Sequence, residues 1–307
     1  MNCIVLMQRN NSGLRHIFLV TICIFGMAAG LLSEEQKAFK SVVWEPSQLA
    51  SGSPFLLTIT LEDPATALHA KWLGREVEFF RAPTGNTWYA LAGVDVETEP
   101  GTYPLALEAT LQNGKVLRMA RDIRIEPANY KTTTLRVPEK FVAPPPEALK
   151  QIALDKEIKD RAFAHRTPSP EWSGGFLPPV HALATDSFGT RRTFNGKLAS
   201  IHRGMDYRAQ SGTAVMAANT GAVVLARKLY FEGNCVVIDH GQQFMTLYMH
   251  LSRIEVAEGD KVRKGQRIGL SGATGRVTGP HLHFAVHWQN AYLDPAKLLQ
   301  LKLTNLP

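Results

Sequence analysis

The sequence predicts an all-β protein in two parts joined by one helix. Three observations point that way. Short runs rich in β-branched and aromatic residues recur in both halves, as at 55–61 (FLLTITL). Gly, Pro and Asn punctuate them, with Asn113-Gly114 as the strongest hairpin signal. Between the two halves, the stretch 147–166 instead carries a charged, amphipathic pattern.

The elements follow in order. Arg9 and Arg15 precede an uncharged run at 17–32, with Ala28, Ala29 and Gly30 where a signal peptidase would cut. Residues 1–32 read as an export signal. The run is shorter than the ~20 residues of a usual membrane span; an uncleaved anchor is the alternative. Bulky Ile22 argues against lipidation at Cys23. Residues 40–127 read as an immunoglobulin-like sandwich, with strands at 55–61, 75–81, 87–94, 105–111 and 115–125. A connector, 128–171, contains Pro144-Pro145-Pro146, which stops any regular element. Its helix offers Leu149, Ile152, Leu154, Ile158 and Phe163 as a packing stripe. From 172 to 307 strands return: two around Asn219-Thr220-Gly221, a hairpin at 235–239 and 244–250, and a strand–Gly–strand stretch at 256–269.

The formal charge is +7. The signal segment contributes only Arg9 and Arg15, so the remainder stays basic. An exported basic chain suits an anionic polymer such as a cell wall, or an anionic membrane if the N-terminal segment stays uncleaved. No Lys/Arg run or aromatic-basic platform points to nucleic acid. Once the signal is removed, Cys235 stands alone and reads as a small buried hydrophobe. Oligomeric state is not legible.

Histidines carry the chemistry. His202 and Asp206 stand four apart, and Gly204 between them disfavours a helix. On a straight strand they would lie ~13 Å apart, so binding one metal requires a bend, which Gly204 permits. His281 and His283 share a face of a strand, with Leu282 turned to the core. Tyr248 and His250 likewise share a face by parity, with Met249 and Leu251 on the other. His240 and His287 read as structural, and Asp186 and Asp239 as turn or strand-end residues. There is no HExxH helix and no GxSxG elbow.

Taken together, HRGMDY at 202–207, YMHL at 248–251 and TGPHLHF at 278–284 resemble the lysostaphin/LytM-type zinc metallopeptidases. Phe188-Gly189 with Arg191-Arg192, Gly212-Thr213, Gly265-Gln266 and Gly272-x-Thr274-Gly275 agree. The resemblance covers the last ~130 residues; the region 42–126 also looks like the small β domain that precedes some members. It implies a LytM-type β domain built on a duplicated hybrid motif. It further implies Zn2+ held by His202, Asp206 and His283, with His250 and His281 catalytic but not ligands. The implied activity is an endopeptidase acting on peptidoglycan in the periplasm or cell envelope. His281 is favoured as general base and His250 as oxyanion stabiliser, with the reverse open. Two rival readings are a catalytically silent wall-binding protein that activates other hydrolases, and a phosphoryl carrier. The five intact positions argue against the first; export and the Asp206 oxygen argue against the second.

Overall fold

A computed structural model describes residues 36–135, 144–194 and 198–303. The export-signal expectation lies outside them. No helix among the described residues is long and apolar enough to cross a membrane.

The chain is mostly strand. In the first half, Phe39–Glu45, Pro54–Leu61, Thr87–Gly93 and Phe80–Arg81 form one sheet, in that order. Leu49–Ala50, Val116–Glu126, Gly101–Leu111, Ala65–Trp72 and Arg75–Glu78 form the other. Alternation drives the packing: Leu105, Leu107, Ala109 and Leu111 point inward, while Ala106 and Glu108 point out. Across the core Trp72 meets Phe55 edge to face, with ring centroids 5.8 Å apart. Its indole N–H donates to Gly93 O at 2.9 Å, so the buried ring leaves no polar atom unpaired. The stretch expected as one strand at 75–81 divides between the two sheets at Phe79. The Asn113-Gly114 turn forms as expected, with Gly114 at φ +82°.

The helix runs Pro146–Phe163. Its expected stripe is corrected: Leu149 and Leu154 are 53% and 43% exposed, and the buried positions are Ala148, Asp155 and Ala162. Ala162 joins Leu225, Leu229 and Cys235 in a small cluster, with Ile158 and Phe163 packed against it. Small residues on that face bring the helix close to the strand Gly221–Leu229. Burial raises the Cys235 thiol well above its ordinary pKa, in keeping with an inert hydrophobe.

The second half centres on an eight-stranded sheet. Its order is Ala184–Asp186, Met205–Tyr207, Leu282–Trp288, Phe244–Leu251, Gly233–Asp239, Gly221–Leu229 and Lys261–Val262, with Ala291–Leu293 beside 282–288. Two three-stranded sheets flank it. In one, Thr132–Leu135 pairs parallel to Arg191–Phe194, so the chain leaving the first half adds a strand to the second.

The halves share one continuous apolar cluster, from Phe39 and Phe55 to Leu293 and Leu298. Leu293 packs onto Gly93 so closely that a Cβ there would meet it at 2.3 Å. Polar contacts add to this: Arg75 Nε donates to Gln289 O at 2.8 Å, Tyr292 N to Asp95 Oδ2 at 2.8 Å, and Lys297 Nζ to Ser53 Oγ at 3.0 Å.

Candidate metal centre

Three strands bring the site together. Asp206 lies directly opposite His283 on the paired strands 205–207 and 282–288. Met249 lies opposite His283 on the other side. His202 follows the strand Leu198–Ile201 and is tied to Thr190 O through its backbone N–H at 2.8 Å. The chain bends between His202 and Asp206, as their spacing requires. Gly204 is needed there for space: a Cβ would sit 2.4 Å from His283 Nε2 and 2.7 Å from Phe284 O.

Among the described residues, His202, Asp206 and His283 form the group of ligand-type side chains able to hold a metal ion, with all three candidate atoms within 4.8 Å. His202 Nε2 and His283 Nδ1 lie 3.0 and 2.7 Å from Asp206 Oδ1, and 3.0 Å from each other. Donors in a tetrahedral zinc shell with bonds of ~2 Å are about 3.3 Å apart. The trio's separations fall about 0.3–0.6 Å short of that spacing, so a small outward adjustment admits such an ion, and its two imidazoles and one carboxylate are a donor set that zinc accepts.

The next layer orients these donors. His202 Nδ1 donates to Ser187 O at 3.0 Å, which leaves the Nε2 lone pair for a metal. Asp186 Oδ2 lies 3.5 Å from the same nitrogen. Arg192 bridges Asp186 and Asp206, reaching Asp206 Oδ2 at 3.0 Å. Burial opposes ionisation of Asp206, but bonds to His202 and His283 outweigh it and hold the carboxyl well below the usual range. The roles of Asp186 and Arg192 were missed in the sequence: Asp186 is a strand-end residue, as expected, but one that also braces His202. The adjacent Arg191-Arg192 pair was its only signal.

His250 and His281 face the same cleft, with ring centroids 4.9 Å apart. His281 Nε2 is 3.8 Å from Asp206 Oδ1. Its Nδ1 donates to Gly279 O at 2.8 Å, and His250 Nδ1 donates to Thr274 O at 2.9 Å. Each neutral ring therefore keeps an unprotonated Nε2. Burial, with His283 and His281 nearby, pushes the His250 pKa down to about 3. The parity expected for Tyr248 and His250 is overturned. His250 has φ +64° and turns to the His283 side, beside Met249, while Tyr248 packs against Phe284. The cleft encloses about 720 Å³, with Arg208, Lys159 and Phe231 among its walls.

The remaining histidines among the described residues stay outside the cleft. His240 bonds Thr220 O and Thr246 Oγ1 in the core, and His287 stacks on Phe163 at 4.0 Å.

Residues 200–295 match the model of peptidase family M23. The chain carries a peptidase M23 domain. Its M23 domain is 53% identical over 88 residues to the peptidoglycan DD-endopeptidase ShyA of Vibrio cholerae, covering 29% of this chain and 20% of ShyA. The chain thus spans about a fifth of the length of that relative. It is 33% identical to the catalytic domain of the antimicrobial peptidase lysostaphin from Staphylococcus simulans, over 39% of this chain and 92% of that one, at a TM-score of 0.35. A crystal structure of an M23 peptidase from Pseudomonas aeruginosa matches over 82% of this chain and 95% of its own, with TM-score 0.63 and 27% identity. That match extends well beyond the M23 domain.

Proposed function

We propose that the chain is a zinc-dependent endopeptidase of the cell envelope that hydrolyses cross-links or stem peptides of peptidoglycan. The observation that carries this reading is the convergence of the His202, Asp206 and His283 donor atoms with two further imidazoles in one cleft. The M23 domain and its likeness to a peptidoglycan DD-endopeptidase support the substrate class.

His202 Nε2, Asp206 Oδ1 and His283 Nδ1 hold the ion in this proposal. When bound, zinc supplies polarisation of a carbonyl and an acidified water. The rest falls to the chain's own groups. His250, buried and neutral, presents Nε2 as a proton acceptor. His281 Nε2 lies 3.8 Å from Asp206 Oδ1 and faces the cleft, and with a proton on that nitrogen it donates toward the oxygen that gains charge. This allocation reverses the one favoured from sequence. Asp186, Arg192 and Ser187 O keep the donors in place. Glycosidic cleavage usually needs two carboxyl groups flanking the bond; here Asp206 faces the two histidines and Asp186 is braced by Arg192.

Digestion of purified sacculi tests the proposal. New free amino groups without new reducing ends are expected. Reducing ends that depend on His202 would overturn it.

A further inference from the structure

The helix 146–163 reaches the site through the turn at 230–232. Asp155, midway along it, is only 4% exposed. Its Oδ1 accepts from Gln151 Nε2 at 2.7 Å, and its Oδ2 accepts from the Tyr230 backbone N–H at 2.6 Å. One helical turn further on, Lys159 forms an ion pair with Glu232, both largely shielded from solvent. The helix thus grips the first and third residues of a turn that also walls the cleft.

The same turn holds His250. Glu232 O accepts from the His250 backbone N–H at 2.9 Å. The next residue, Gly233, presses on Thr274, where a Cβ would meet Oγ1 at 2.3 Å. Thr274 in turn accepts from the His250 ring at 2.9 Å. A left-handed φ at a residue with a Cβ persists only where its surroundings enforce it. Here the enforcing groups are the turn and Thr274, and the turn is anchored by the helix.

We propose that Asp155 and Lys159 are positioning residues, and that the connector helix thereby completes the working site by holding the 230–232 turn against His250. This rests on the role proposed for His250. A buried carboxylate is tolerated only with its partners, and its removal takes the Oδ2 acceptor away from the Tyr230 N–H. The turn then relaxes, and the imidazole loses its orientation without any change at the three ligand atoms.

The test uses the full zinc-loaded chain with nitrogen-15-labelled histidine, read by NMR and by kinetics on a cross-linked muropeptide. In Asp155→Ala the His250 ring signals should shift and kcat should fall about 10- to 100-fold, the scale of a misplaced catalytic group. KM and zinc content should stay within about two-fold. Asp155→Asn keeps an oxygen for Tyr230 and should recover most of the loss. Lys159→Glu should impair kcat, and the added Glu232→Lys exchange should restore it. A folded Asp155→Ala protein with unchanged His250 signals overturns the proposal. So does a loss confined to KM or to zinc content. Should Asp155→Ala fail to fold, the charge exchange at the Lys159–Glu232 pair decides, and a double variant no better than Lys159→Glu overturns it. If the wild-type chain cleaves no muropeptide, the functional proposal falls separately; shifted His250 signals in the variants still support the positioning role, and unchanged ones still refute it.

Discussion

Tyr248 and His250, two residues apart on one strand, lie on opposite sides of the sheet. Tyr248 packs against Phe284, 5.4 Å between centroids, with its hydroxyl accepting from Ala218 N at 2.7 Å. His250 lies beside His281 and His283. The reversal comes from the left-handed φ of His250 at the end of the strand, next to a register shift on the neighbouring strand between Asn234 and Val236. A backbone conformation uncommon for histidine thus delivers an imidazole to the cleft.

That placement predicts how His250 and His281 behave. His250→Ala and His281→Ala should retain zinc and lose roughly 10²-fold or more in turnover, the scale of an acid–base or oxyanion group. Steady-state kinetics with metal analysis checks this. Near-wild-type turnover in either variant would reduce that residue to a structural role.

The proposed ligand trio predicts a different phenotype. His202→Ala, Asp206→Ala and His283→Ala should each lose the metal while circular dichroism still reports a β-fold. Full zinc occupancy in Asp206→Ala, by elemental analysis, would contradict the assignment.

Gly204→Ala should be damaging although the residue touches no substrate. Its Cβ would run into the His283 ring and into Phe284 O, and a backbone atom cannot swing aside as a flexible side chain can. Overpacking of this kind costs about 1–3 kcal/mol, and the displaced His283 weakens metal affinity too. Thermal melts and a chelator competition measure both effects; a variant with wild-type affinity would show that the bend tolerates a side chain.

Stability should fall on mild acidification. Burial pushes both His240 and His287 down to about 4 from an ordinary 6.5, with Asp239 and Glu171 opposing the shift at His240 and Arg75 adding to it at His287. Above 6.5 both are neutral in either state and the stability is fully present. Between about 6.5 and 4 the unfolded chain binds the extra protons, so stability is lost as pH falls, by up to about 1.4 kcal/mol per pH unit for each residue. Urea midpoints at pH 7.5 and 5.0 should separate, and less so in His287→Leu. Equal separation in wild type and variant would remove His287 from the account.

The shared core bears on truncation. A fragment beginning at Trp172 would expose Leu293 and Trp172, which pack on Gly93 and Phe80, and would lose the bonds to Ser53 and Asp95. It should be poorly soluble or markedly less stable than the full chain. A soluble fragment with an unchanged melting temperature would show that the first half is dispensable for folding.

Much of this was legible in the sequence because it follows from local rules. The β-rich runs at 105–111 and 115–125 read as strands, close to the observed 101–111 and 116–126, and Asn113-Gly114 gave their turn. Period-two alternation placed His281 and His283 on one side with Leu282 in the core. It failed where the backbone leaves the regular strand, at His250, since parity carries no information about a left-handed residue. Composition failed along the helix: Leu149 and Leu154 look like core, yet small Ala148 and Ala162 and the buried Asp155 make the contact. Asp186 and Arg192 were missed because they meet His202 and Asp206 only through the fold of three strands.

Arg192 divides the two oxygens of Asp206: one is committed to the guanidinium and the other faces the histidines. The carboxylate is thereby restricted to one-point coordination. Calcium takes six to eight oxygens and often grips carboxylates by both, and magnesium favours an octahedron of oxygens and water. Two imidazoles and a single oxygen offer neither, so alkaline-earth ions would be poor competitors at the proposed site. In the proposed centre, an arginine outside the donor set would thus favour a softer, four-coordinate ion.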